Sequence, residues 1–186
     1  MTGDVLRVWT IGHSNHSLEQ FVDLLVNHAI EILVDIRRFP GSRKFPHFRQ
    51  ESLSESLKQI GIEYHWLQGL GGRRGVSNPS TGNNDAWQNN SFRNYADYMQ
   101  TEEFRAAFQE LQRLAGDGRT TIMCSESVYW RCHRRLVSDF VTASGGDAEH
   151  IFPDGRTKRH KLTDTAVVQS VSPVIITYPG EPTLFD

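Results

Sequence analysis

The chain contains two cysteines, Cys124 and Cys132, which stand eight positions apart in the segment CSESVYWRCHRR. The apolar run at 120–123 predicts a buried strand that ends at Cys124, and residues 135–141 have the spacing of a helix. A thiol at a strand end, above a helix that begins with histidine and arginines, lies where thiolates form readily and where anions bind. This segment is therefore predicted to be the centre of function.

A small set of side chains near these cysteines has the chemistry of a catalytic site. Cys124 is the candidate nucleophile, and Glu126 and His13 are candidate general acids or bases. Cys132 is the candidate partner of Cys124 in a thiol pair, although the spacing is not the Cys-x-x-Cys of thioredoxin-type proteins. The alternative interpretation is that both cysteines are small buried hydrophobic residues.

Positive charge is concentrated in segments that contain no acidic residue. Residues 36–50 include five lysines or arginines, and residues 127–138 include three arginines. Because arginine binds phosphate and carboxylate through two parallel hydrogen bonds, these segments predict an anionic ligand. Asp35 is expected to hold Arg37 or Arg134 in place through an ion pair. The candidate substrate- or anion-binding residues are Ser14, Asp35, Arg37, Arg38, Arg43, His133 and Arg134.

A zinc site is a further interpretation of the same segment. Cys124, Cys132 and His133 would need a fourth ligand, such as His13 or His160, to enclose the ion. The spacing matches no strong zinc motif, and adjacent residues of a helix point in different directions. The sequence therefore predicts no metal and no cofactor.

The rest of the chain predicts the framework that positions these residues. Apolar runs predict three strands besides the one before Cys124, at 6–11, 31–36 and 63–67, and helical patterns lie between the strands. Strands that alternate with helices indicate an α/β fold, here a single three-layer domain with a mostly parallel sheet. The polar motifs follow the strands directly, so they are expected to share one cleft at the carboxyl ends.

Domain organisation follows from the same patterns. Residues 1–165 are predicted to form the α/β domain, and 166–186, apolar and then rich in proline, to form a tail on its surface. The irregular stretch 73–90 is either an active-site lid or a disordered insert. At the end of the tail, Leu184 and Phe185 are similar to the short peptides that dock on the bacterial sliding clamp, although a disordered end is the alternative.

Composition excludes several classes of protein. The chain has 186 residues, a formal net charge of −2, 38% hydrophobic residues and 23% charged residues, which is ordinary for one globular domain and not for a polycation. No apolar run approaches the roughly 20 residues of a transmembrane helix, and the first residues lack the pattern of a signal peptide. A cytoplasmic protein with no membrane partner is predicted.

Seven short motifs together resemble one family, the domain of unknown function 488. They cover roughly residues 8–162 and are Thr10–Ser14, Asp35–Pro40 with Ser42 and Arg43, Leu70–Gly72, Tyr95–Met99, Cys124-x-Glu126, Cys132–Arg134 and His150–Ile151. The resemblance implies that the motif residues belong to a site. It implies no reaction, because the family is defined without one.

Three functions are compatible with these residues. The first is an enzyme whose cysteine- and arginine-lined cleft acts on a phosphate-bearing ligand, a nucleotide or nucleic acid. The second is a nucleic-acid-binding accessory protein of DNA maintenance, which would bind DNA in a salt-dependent way without its cysteines. The third is a thiol redox or sulfur-transfer protein, which would need both cysteines and no nucleic acid.

Overall fold

The computed structural model describes residues 5–75 and 82–180. The helices within these ranges are α1 (Leu18–Asn27), α2 (Gln50–Gln59), α3 (Asn90–Tyr98), α4 (Glu102–Asp117) and α5 (Arg134–Ala143). The strands are β1 (Arg7–Gly12), β2 (Ile32–Asp35), β3 (Glu63–Trp66), β4 (Thr120–Cys124), β5 (Asp147–Ile151), β6 (Thr157–Arg159), β7 (Val167–Val171) and β8 (Val174–Thr177). Short 3-10 helices lie at Pro46–Phe48, Gln68–Leu70 and Tyr129–Arg131.

Six of the strands form one sheet in the order β3-β2-β4-β1-β5-β6. The first five run parallel, and β6 pairs antiparallel with β5 at the edge. Parallel strands require crossover connections, which the helices between them provide. The carboxyl ends of β1, β2 and β4 therefore lie side by side in the middle of the sheet.

Helices cover both faces of the sheet. On one face, α1 and α2 pack on side chains that include Trp9, Ile11 and Leu33. On the other face, α3, α4 and α5 pack on the alternating residues, among them Val34 and Ile122. The central strands are buried on both sides, which explains why they appear in the sequence as apolar runs. The predicted α/β class and the three-layer arrangement are confirmed.

The helices that follow β1 and β4 lie on opposite faces, and this separation opens a crevice between the two strands. The helix after β1 is α1, which belongs to the first layer, and the helix after β4 is α5, which belongs to the second. Such a crevice at the carboxyl ends of parallel strands is where open α/β sheets bind ligands. The topology therefore places the cleft beside Cys124, the last residue of β4.

The C-terminal segment differs from the predicted surface tail. Strands β7 and β8 form an antiparallel hairpin, and Ile176 and Tyr178 are fully buried against the second layer. Residues 181–186, with Leu184 and Phe185, lie outside the described residues, so the docking of these two side chains stays a prediction. Within the described ranges, none of the helices combines the length and the apolar character of a transmembrane span.

Candidate functional site

A single cleft of about 480 Å³ collects most of the predicted site residues. Its lining includes all four candidate catalytic residues and three of the candidate anion-binding residues: His13, Cys124, Glu126, Cys132, Arg37, Arg38 and His133. The remaining four candidates, Ser14, Asp35, Arg43 and Arg134, are not among the residues that line it. The convergence arises because the motifs follow β1, β2 and β4, whose carboxyl ends are neighbours.

The two cysteines face each other at the base of the cleft. Cys124 ends β4 and Cys132 follows the 3-10 helix at Tyr129–Arg131, and both are almost fully buried. Their Sγ atoms are in direct contact, while their Cα atoms are 7.7 Å apart. The backbone amide of Glu126 donates to Cys124 Sγ, and the amide of Arg134 donates to Cys132 Sγ, each at 3.4 Å. Backbone amides near both ends of the segment 124–134 therefore fix the positions of the two sulfurs.

His133 brings an imidazole to the same sulfurs. Its Nε2–H donates to the carbonyl of Ile36 at 3.0 Å, which leaves Nδ1 unprotonated and 3.5 Å from Cys132 Sγ. Burial lowers the pKa of His133 to about 4, so the ring is neutral at pH 7. The sequence argument that adjacent residues diverge is wrong here, because Cys132 is extended and His133 is only the N-cap of α5.

Arg134 has a different position from the one predicted for an anion-binding residue. Its side chain is 1% exposed and lies beneath the loop that follows Cys124. It donates to the carbonyls of Glu126 at 2.6 Å and Ser127 at 3.3 Å, and burial lowers its pKa to about 9, which still leaves it charged at pH 7. Arg134 therefore holds the loop after Cys124 in place from inside the protein, whereas the carboxylate of Glu126 is exposed.

Asp35 pairs with Arg37, one of the two partners predicted for it. Arg37 Nε donates to Asp35 Oδ1 at 2.9 Å, and the hydroxyl of Tyr64 donates to Oδ2 at 2.6 Å. Arg37 Nη1 lies 3.4 Å from His13 Nε2. Because Asp35 neutralises its charge, Arg37 serves the site by orienting the His13 ring, and it contributes less net positive charge to the cleft than Arg38.

His13 is held firmly at the end of β1. Its Nδ1 donates to the carbonyl of Ser14 at 3.0 Å, and its ring stacks on Phe48 with centroids 4.3 Å apart. Burial, reinforced by the charge of Arg37, lowers the pKa of His13 to about 4. At pH 7 the ring is therefore neutral, and its Nε2 faces the guanidinium of Arg37.

Two arginines that the site prediction omitted also line the cleft. Arg73 follows Gly72 in the loop after β3, and Arg131 ends a 3-10 helix; both are exposed. Arg38 donates to the backbone carbonyl of Arg73 at 2.7 Å, and this hydrogen bond holds Arg38 and Arg73 side by side. Arg131 lies in the segment between the cysteines, so its position in the sequence was the available signal. Arg73 lies in a glycine-rich loop that carries no such signal.

The other candidates take supporting positions. Ser14 has a positive φ of 46°, and its amide donates to the carbonyl of Ser125, so it joins the loops after β1 and β4. His160 lies away from the cleft, in a buried chain of hydrogen bonds with His150 and Asp139. Of the irregular stretch 73–90, residues 76–81 lie outside the described residues, and a lid stays a prediction.

A comparison with known families agrees with this arrangement. The family model described as "Domain of unknown function DUF488" matches residues 17–141. Neither a curated protein nor a solved structure matches the chain significantly. The matched range contains both cysteines, Glu126, His133 and all the arginines of the cleft, whereas His13 precedes it. The chain therefore belongs to the DUF488 family.

Proposed function

We propose that the protein is an enzyme whose cysteine- and arginine-lined cleft acts on a phosphate-bearing ligand, such as a nucleotide or nucleic acid. One observation carries the proposal: Arg38, Arg73 and Arg131 surround the cleft that holds the two sulfurs. In the described part of the chain, no carboxylate lies within ion-pair distance of these three guanidinium groups. Their charge is therefore free to bind an anion.

The proposal gives a role to each reactive group of the cleft. Cys124 is the proposed nucleophile, because its sulfur accepts a hydrogen bond from the amide of Glu126, whose carbonyl accepts one from the buried guanidinium of Arg134. The exposed carboxylate of Glu126 reaches the same cleft and is the candidate proton donor or acceptor for the ligand. The arginines would hold the phosphate while the Cys124 thiolate displaces a leaving group from the electrophilic centre beside it, and Glu126 would protonate the departing group.

A thiol redox or sulfur-transfer protein is the second candidate, and the contact between the two Sγ atoms supports it. In that function Cys124 and Cys132 would cycle between a dithiol and a disulfide by thiol–disulfide exchange with a second thiol–disulfide pair, and the arginines would have no essential part. The two functions differ in whether an anion in the cleft shields the thiols, and in whether Cys132 is required.

The test is the rate of alkylation of each cysteine in the fully reduced protein, measured against pH by peptide mass spectrometry with and without a single-stranded oligonucleotide. We expect Cys124 to react at lower pH than a free cysteine and to be protected by the oligonucleotide. Arg38→Gln and Arg73→Gln should each raise the concentration for half-protection about tenfold or more, since a hydrogen bond to a charged group contributes roughly 1.5–3 kcal/mol.

Arg7→Gln is the matched control, because Arg7 begins β1 at the opposite edge of the sheet. It should leave the protection unchanged. Salt is varied in parallel, because protection by phosphate contacts weakens as ionic strength rises. The enzyme proposal would be wrong if the thiols are inert, or if Arg38→Gln, Arg73→Gln and Arg7→Gln are all protected equally. If the oligonucleotide binds but does not change the alkylation of either thiol, the protein is a nucleic-acid-binding protein instead.

A further inference from the structure

The two cysteines and His133 place three metal-ligand atoms together. Cys124 Sγ, Cys132 Sγ and His133 Nδ1 all lie within 4.8 Å of one another. We propose that these three atoms bind a zinc ion and leave its fourth position open to the cleft. The inference goes beyond the proposed function, because zinc binding requires only the three ligands and no phosphate-bearing molecule.

One of the ligand distances already suits a tetrahedral ion. Zinc bonds of about 2.3 Å to sulfur and about 2.0 Å to nitrogen place neighbouring ligands roughly 3.5–3.8 Å apart. The separation of 3.5 Å between Cys132 Sγ and His133 Nδ1 meets this requirement. The two sulfurs are in direct contact and must move apart to admit an ion; because the Cα atoms are 7.7 Å apart, beyond the roughly 4.4–6.8 Å usual for disulfides, rotation of the two side chains can separate them.

The surroundings of His133 hold its ring in the form that a metal needs. Nε2–H donates to the carbonyl of Ile36 at 3.0 Å, so the lone pair is on Nδ1, the atom that faces the sulfur. A second hydrogen bond of this kind is what orients histidine ligands in metal sites. Gly72 leaves space for the ring, since a Cβ at that position would lie 2.8 Å from Nδ1.

The charges also favour zinc with an anion in the fourth position. Two thiolates and one Zn²⁺ have no net charge, so the buried guanidinium of Arg134 does not repel the filled site. The amides of Glu126 and Arg134 already donate to the two sulfurs, as expected for thiolate ligands. Sulfur and imidazole ligands select zinc over magnesium or calcium. Arg38 and Arg131 line the open side, where an anion would meet the ion.

The test uses the full chain, reduced and freed of metal, and titrated with Co²⁺ and then with Zn²⁺ in competition. We expect one ion per chain and a thiolate-to-cobalt absorption band that Cys124→Ser and Cys132→Ser each remove or weaken. His133→Gln should weaken zinc binding about 100-fold or more, because loss of even an outer partner costs about 10- to 100-fold. His65→Gln is the control, since this partly exposed histidine of β3 pairs with Glu63 and does not line the cleft.

Gly72→Ala is a second variant that leaves all three ligands in place. It should displace the His133 ring and weaken zinc binding while circular dichroism confirms a folded protein. The absence of a thiolate-to-cobalt band in the reduced protein, or zinc affinity that is unchanged in His133→Gln, overturns the inference. Zinc binding without oligonucleotide protection would defeat only the proposed function, and oligonucleotide protection without zinc binding would defeat only this inference.

Discussion

At the scale of single residues, buried charges organise the cleft. Asp35 is fully buried and accepts hydrogen bonds from Arg37 and Tyr64, and Arg37 is 7% exposed. Removing one partner of such a pair leaves the other charge buried without compensation, which costs far more than the pair itself contributes. By contrast, Asp154 and Arg156 pair at the surface, where solvent screens both charges.

We predict that Asp35→Asn lowers the free energy of unfolding by about 3–5 kcal/mol, because the guanidinium of Arg37 stays buried and loses its counter-charge. Urea denaturation followed by circular dichroism measures the change. Asp154→Asn is the matched control and should leave the denaturation midpoint nearly unchanged. Similar midpoints for the two variants would mean that water or a rearranged neighbour compensates Arg37.

At the scale of elements, the site depends on the close approach of the loops after β1 and β4. The two strands pair up to Gly12 and Cys124, and the amide of His13 continues the ladder by donating to the carbonyl of Cys124 at 2.9 Å. A Cβ on Gly12 would lie 1.8 Å from the carbonyl oxygen of Glu126 and 2.9 Å from Arg134 Nη2. The position therefore requires glycine, because backbone cannot move aside as a flexible side chain can.

We predict that Gly12→Ala lowers the free energy of unfolding by about 3 kcal/mol, the upper part of the usual range for overpacking. The displaced loop should also make Cys124 easier to alkylate. Gly41→Ala tests the same substitution on the cleft rim, where a Cβ meets no atom within 4 Å. That variant should be unchanged or slightly more stable. If Gly12→Ala and Gly41→Ala change the thermal unfolding temperature equally, the loops after β1 and β4 can separate at little cost in free energy.

At the scale of the whole molecule, the sequence predicted the layers better than the details of the site. The central strands were predictable because burial on both faces makes them apolar, and the cleft because its motifs follow strand ends. The order of the strands in the sheet could not be predicted, because strand pairing depends on contacts between residues that are distant in sequence. The burial of Arg134 and the approach of His133 to Cys132 were also missed, because both depend on where α5 begins.

Histidines buried in neutral form should make the stability of the whole domain depend on pH. His13 is 4% exposed and His150 is 1% exposed; burial is the main cause that lowers the pKa of each, to about 4 for His13. In the unfolded chain, histidine binds a proton near pH 6.5. Between pH 6.5 and 4 the unfolded state therefore binds more protons than the folded state, and stability falls as the pH falls.

We predict that His13 alone makes the free energy of unfolding about 3 kcal/mol smaller at pH 4 than above pH 6.5. His13→Gln should remove this part, so its stability curve should be flatter than that of the wild type by about 1.4 kcal/mol per pH unit across the window. Above pH 7 the two curves should run parallel, whatever the constant cost of losing the ring stacked on Phe48. Urea denaturation at a series of pH values measures both curves. Parallel curves throughout would mean that folded His13 binds its proton as readily as the unfolded chain does, and that burial at the end of β1 does not exclude the charged ring.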